Sequence, residues 1–79
     1  MLSTQDVQKL VESGLPGSQV QVQDLTGTSD HFGIQVVSEA FDGKSLIERH
    51  RMVQKSLGEH LTTTIHAVDI RAKTPAEVS

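Results

Sequence analysis

Val7, Leu10 and Val11 recur at i, i+3 and i+4, with polar Gln5, Gln8, Lys9 and Glu12 between them, which is the spacing of a short amphipathic helix. Ser3 and Thr4 stand where an N-cap belongs, and Asp6 follows Ser3 at capping-box distance. Gly14 and then Pro16-Gly17 stop the helix. From residue 19 to 25 (QVQVQDL) the period changes to two, which predicts a half-buried strand with Val20 and Val22 inward and glutamines outward. Turn formers fill residues 26 to 30, with His31 at the end of that loop. A second strand is predicted from Phe32 to Ser38, with Phe32, Ile34 and Val36 on one face, so the pair forms a hairpin with a wide connection.

Phe41-Asp42-Gly43 reads as a turn in which Asp42 caps, Gly43 takes positive φ and Phe41 anchors the connection in the core. From Lys44 the pattern predicts a helix of about four turns. Leu46, His50, Val53 and Leu57 fall on one stripe of it. That stripe places His50 on the apolar face as a structural histidine bonded to backbone, not as a ligand. Flanking Arg49 and Arg51 are free to reach Glu48, a carboxylate elsewhere or a partner. Gly58 ends the helix and Glu59-His60-Leu61 adds a further turn, with His60 as ordinary helix-end polarity.

The last strand is predicted from Thr63 to Ala72. Both of its alternating sets are fairly apolar, which predicts a strand covered on both faces or lying centrally in its sheet. His66 falls in its first half, in line with Val68 and Ile70. Thr74, Pro75 and Glu77 then occupy the N-cap, N1 and N3 positions of a new helix. The sequence stops before that helix can form, so a truncated C-terminal helix is expected. The order is helix, strand, strand, helix with a short extra turn, strand, helix start. A hairpin makes the first two strands antiparallel, and a right-handed helical crossover places the third parallel to the second. The expectation is one α+β domain over residues 1–79, with a three-stranded mixed sheet and its helices on one face.

Composition narrows the chemistry. Seventy-nine residues, 35% hydrophobic and 22% charged, describe one small globular domain. A net charge of −3 and a pI near 5.7 give the chain as a whole no electrostatic attraction to nucleic acid, although Lys44, Arg49, Arg51 and Lys55 make one helix locally basic. Two Phe, no Trp and no Tyr leave little for base stacking. With no Cys there is no disulfide, thiol nucleophile or thiolate metal site, which leaves His31 and His66 as the candidate soft-metal ligands. No apolar run is long enough to span a bilayer and no signal-peptide pattern opens the chain, so a cytoplasmic protein is expected, or an organellar stroma or matrix protein after trimming. No nucleophile, paired-carboxylate or phosphate-loop arrangement points to an enzyme.

His31-Phe32 with the Val36-Val37-Ser38 strand, Phe41-x-Gly43, Arg49-His50-Arg51, Ile65-His66-Ala67 and Lys73-Thr74-Pro75, in this order and spacing, resemble the BolA family from about Val20 to Glu77. The resemblance implies a fold similar to class II KH domains, in agreement with the order read from the pattern. It implies a monothiol glutaredoxin partner of the Cys-Gly-Phe-Ser type. In the heterodimer a [2Fe–2S] cluster is held by the glutaredoxin cysteine and a glutathione thiol on one side and by BolA residues on the other. On this chain those residues correspond to His66 and, from the loop between the first two strands, His31. The isolated chain is then a monomer without a cluster. Imidazole in place of thiolate raises a cluster's reduction potential. The sequence departs from the family after the Thr-Pro-x-Glu segment, where Val78 replaces the usual aromatic and a basic tail is missing. The resemblance also admits a DNA-binding transcriptional regulator using the basic helix around Arg49 and Arg51, although no Gly-x-x-Gly loop is present. An adaptor that binds partners without a cluster is a third reading.

Overall fold

The computed structural model of the chain describes residues 3–25, 27, 31–58, 60 and 67–78. The order is helix α1 (Thr4–Gly14), strand β1 (Gln19–Asp24), strand β2 (His31–Val37), a 3-10 turn (Glu39–Phe41), helix α2 (Leu46–Leu57), strand β3 (Ala67–Lys73) and a final single turn, α3 (Pro75–Val78). β1 and β2 are antiparallel, β2 and β3 parallel, and β2 is the middle strand. This is the α+β architecture that the polar–apolar pattern predicts.

Local chemistry accounts for the boundaries. Ser3 caps α1, with its hydroxyl accepting from the Asp6 N–H and the Asp6 carboxylate accepting from the Ser3 N–H. These bonds hold the Asp6 carboxyl below its ordinary value. α2 repeats the device with Ser45 and Glu48, a Ser-x-x-Glu signature that sets the helix start at Leu46. The cap is therefore Ser45 and not Asp42, which closes the preceding 3-10 turn through its N–H to the Glu39 carbonyl. Gly43 has φ +75°, a conformation that costs a residue with a Cβ.

The core lies between the helices and the inward face of the sheet. Val7 and Val11 of α1, Val20 of β1, Phe32, Ile34 and Val36 of β2, Val53 and Leu57 of α2, and Ala72 of β3 are buried together with Leu15 and Phe41. Burying an aromatic such as Phe32 or Phe41 contributes about 2–3 kcal/mol each. Gly14 is more than a stop: a Cβ built on it would lie 2.5 Å from the Ser56 Cβ, so its missing side chain lets α1 and α2 approach.

Four expectations are corrected. Leu46 is 68% exposed and its neighbour Ile47 64%, so the core stripe of α2 is carried by Val53 and Leu57 while Leu46, the first helical residue, lies beyond its packed part. β3 is an edge strand, and its apolar positions Val68, Ile70 and Ala72 alternate with polar Asp69, Arg71 and Lys73. The expected opposite set began at Ile65, and residues 61–66 lie outside those described. His31 belongs to β2 itself, whereas Ser38 leaves the strand to cap the 3-10 turn. Finally, the last helix does form one turn, because Pro75–Val78 is anchored by the rest of the fold.

Candidate functional site

The candidate site is built where the three strands meet the β1–β2 connection. Burial of Phe32, Ile34 and Val36 toward the helices sends the alternate residues of β2, His31, Gly33 and Gln35, to the open face of the sheet. The loop is pinned at this end, because the Leu25 N–H donates to the His31 carbonyl at 2.9 Å and the Gly27 N–H to the Asp24 carboxylate at 2.9 Å. His31 is the register partner of Ala67, the residue bonded to His66 in the chain. His66 itself lies outside the described residues.

The His31 imidazole, 35% exposed, has its Nε2 3.5 Å from Oδ2 of Asp69, whose side chain is 72% exposed. Leu25 and Asp69 also line a groove of about 760 Å³, together with Gln21, Gln23, Gln35 and Arg71. The open face is thus an amide and charge surface. Among the described residues no three His, Asp or Glu side chains converge on one point that could hold a metal ion. A half-exposed imidazole beside a carboxylate is nevertheless a suitable borderline ligand for iron. His31 therefore fits as one ligand of a site completed from elsewhere.

The conspicuous Arg49-His50-Arg51 triplet divides. Arg49 is not available to a partner or to nucleic acid. Its Nε–H donates to the Lys44 carbonyl at 3.0 Å and its Nη1 to the Ala72 carbonyl at 3.2 Å and to Glu77 Oε1 at 2.7 Å. The same Glu77 oxygen accepts from the Thr74 N–H at 2.7 Å. That backbone bond first and the guanidinium second hold the Glu77 carboxyl at about 2, below its ordinary 4.5. Arg49 is therefore a structural clamp, and its side chain is only 11% exposed. Lys44, Arg51 and Lys55 remain exposed. His50 is half-buried and lines the groove with Gln54 against β3. Its expected hydrogen bond to backbone is not formed among the described residues. Phe41 and Gly43 hold the structural places expected of them.

The pattern in the sequence missed two features. Asp69 reads as an ordinary polar strand residue, and only the parallel register brings it to His31. His60 is half-buried beside Asp6, Lys9, Leu10 and Ser13 of α1, not at a free helix end. Of the extra turn expected at Glu59–Leu61, His60 alone is described.

The model of the BolA-like protein family matches residues 8–77. The uncharacterized protein RP812 of Rickettsia prowazekii is 30% identical over 70 residues, which cover 89% of this chain and 91% of that protein. The structure of a bolA protein homologue from Coxiella burnetii superposes with a TM-score of 0.86 at 33% identity, over 99% of this chain and 97% of the other. The BolA domain of SufE1 from Arabidopsis thaliana superposes at 0.85 with 34% identity, over 98% of this chain and 99% of that domain. Against the complete SufE-like protein 1, a 48-residue match at 52% identity spans 61% of this chain and 13% of that protein's length. No described helix is long and apolar enough to cross a membrane. A family match over nearly the whole chain, together with the same three-stranded sheet and helix order, makes this chain a member of the BolA-like protein family.

Proposed function

We propose that this chain is the BolA-like partner of a monothiol glutaredoxin of the Cys-Gly-Phe-Ser type, and that it co-ligates a [2Fe–2S] cluster in the heterodimer. The role is cluster trafficking or iron and redox regulation, not catalysis by the chain itself. The carrying observation is His31 at the start of β2, on the open face of the sheet and accessible to a ligand. Support comes from family membership and from the half-exposed His31 imidazole with its carboxylate neighbour. A chain without cysteine can supply only nitrogen or oxygen ligands, which suits a cluster whose thiolates come from glutaredoxin and glutathione. The cluster would supply one-electron chemistry, and His66 and His31 would be the ligands this chain contributes to it.

The basic-helix reading for DNA loses Arg49, its most central cation, to the intramolecular clamp.

The test is visible circular dichroism of the protein mixed with cluster-loaded monothiol glutaredoxin and glutathione. Wild type is expected to change the cluster spectrum, and His66→Ala to abolish that change. His31→Ala is expected to alter it. An unchanged spectrum on mixing, or a His66→Ala mixture identical to wild type, overturns the proposal.

A further inference from the structure

We infer that Asp69 is a positioning residue for His31: its carboxylate holds the Nε2–H tautomer and leaves the Nδ1 lone pair as the donor offered to iron. This rests on the reading of His31 as a cluster ligand. The geometry comes from the sheet. His31 faces Ala67 and Gly33 faces Asp69 in the parallel register, so His31 and Asp69 are diagonal neighbours on the open face, within reach of long side chains. Position 33 is glycine, so β2 itself places no side chain between Gln23 of β1 and Asp69 of β3. The vacated space is covered by Leu25, whose methyl carbon Cδ2 would lie 3.3 Å from a Cβ built on Gly33. An apolar side chain therefore borders the groove into which Asp69 projects. The Leu25 N–H to His31 carbonyl bond fixes the backbone of the histidine against that wall. What remains free is the ring orientation, and Asp69 Oδ2, 3.5 Å from Nε2 in an electrostatic contact just beyond hydrogen-bond length, is the charged group that biases it.

The chemical consequence follows from how carboxylate–histidine–metal arrangements work. A carboxylate accepting one imidazole N–H fixes tautomer and ring direction and raises the basicity of the opposite nitrogen. A more basic ligand and an adjacent negative charge both stabilise the oxidised cluster, so Asp69 lowers its reduction potential. Asp69 does not touch the cluster in this scheme and acts only through His31.

Two measurements test it on the full chain. The first uses the protein alone, with 15N-resolved imidazole correlations recorded at a pH where His31 is neutral. Wild type is expected to show His31 almost wholly as the Nε2–H tautomer, Asp69→Ala to move it toward the mixture of a free imidazole, and Asp69→Glu to restore part of the bias. Identical His31 patterns in wild type and Asp69→Ala overturn the positioning role, whatever the cluster does. The second uses the cluster-bound complex with monothiol glutaredoxin and glutathione. Asp69→Ala is expected to raise the midpoint potential and weaken cluster retention about 10-fold or more, with partial recovery in Asp69→Glu. An unchanged potential overturns the inference. If His31→Ala leaves the complex as wild type, it is the reading of His31 as a ligand that has failed, and the inference falls with it.

Discussion

An acid–base pair stands near each end of strand β3, and the two pairs differ in kind. At its beginning, Asp69 meets His31 through one contact of 3.5 Å between side chains that are 72% and 35% exposed. Beyond its end, Glu77 meets Arg49 at 2.7 Å, with the arginine side chain 11% exposed and its guanidinium also bonded to the carbonyls of Lys44 and Ala72. Coulomb attraction alone hardly separates these distances. The number of charge-assisted hydrogen bonds and the loss of solvent do. Where an ionic group is tied by several partners it closes the fold, as Arg49 joins α2, β3 and α3. Where one long contact leaves the group in water, it orients without immobilising and the group stays accessible to a ligand.

The sharpest way to break this contrast is Arg49→Ala. It strips three hydrogen bonds from a largely buried guanidinium and should lower stability by about 2 kcal/mol, a fall in Tm of about 10 °C for a domain of this size, read by thermal unfolding. Arg49→Lys should recover only part of that loss, because an ammonium cannot reproduce the fork. A smaller effect is expected on acidification. Glu77 is held at about 2 against its ordinary 4.5, so its contribution is fully present above 4.5 and is lost as the pH falls through 2. Protection of the Thr74 and Glu77 amides, taken relative to the intrinsic exchange rate at each pH, should fall over that window, and Glu77→Gln should remove this pH dependence. The smallest effect is expected at the other end of the strand. Asp69→Ala should leave stability within about 0.5 kcal/mol of wild type in the same melts, since an exposed pair contributes little. A large loss there would erase the distinction between clamp and site.

Both ends also show how far the sequence can be read. The capping box of α1 and the buried sets Val20, Phe32–Ile34–Val36 and Val53–Leu57 follow from spacing alone, because burial repeats with the period of the element. The Thr74–Pro75–Glu77 start is legible for the same reason, since a cap is a local bond within four residues. Leu46 shows where the pattern misleads: helical spacing assigns a face but does not say how far along the helix that face is covered. Ser45 caps α2 through a signature present in the sequence, overshadowed by the neighbouring Phe-Asp-Gly turn.

The site itself divides along the same line. Residue chemistry points to His31 and His66 because a chain without cysteine has few other ways to hold a soft metal. No local rule pairs His31 with Asp69, thirty-eight positions apart, or Arg49 with Glu77, twenty-eight apart. The elements, their caps and their inward faces are legible in the residue pattern because they depend on contacts a few residues long. Which charged groups meet was decided by the parallel pairing of β2 with β3 and the packing of α2 over the end of β3. Those are long-range contacts, set by the burial of the whole core, and only the tertiary structure contains them.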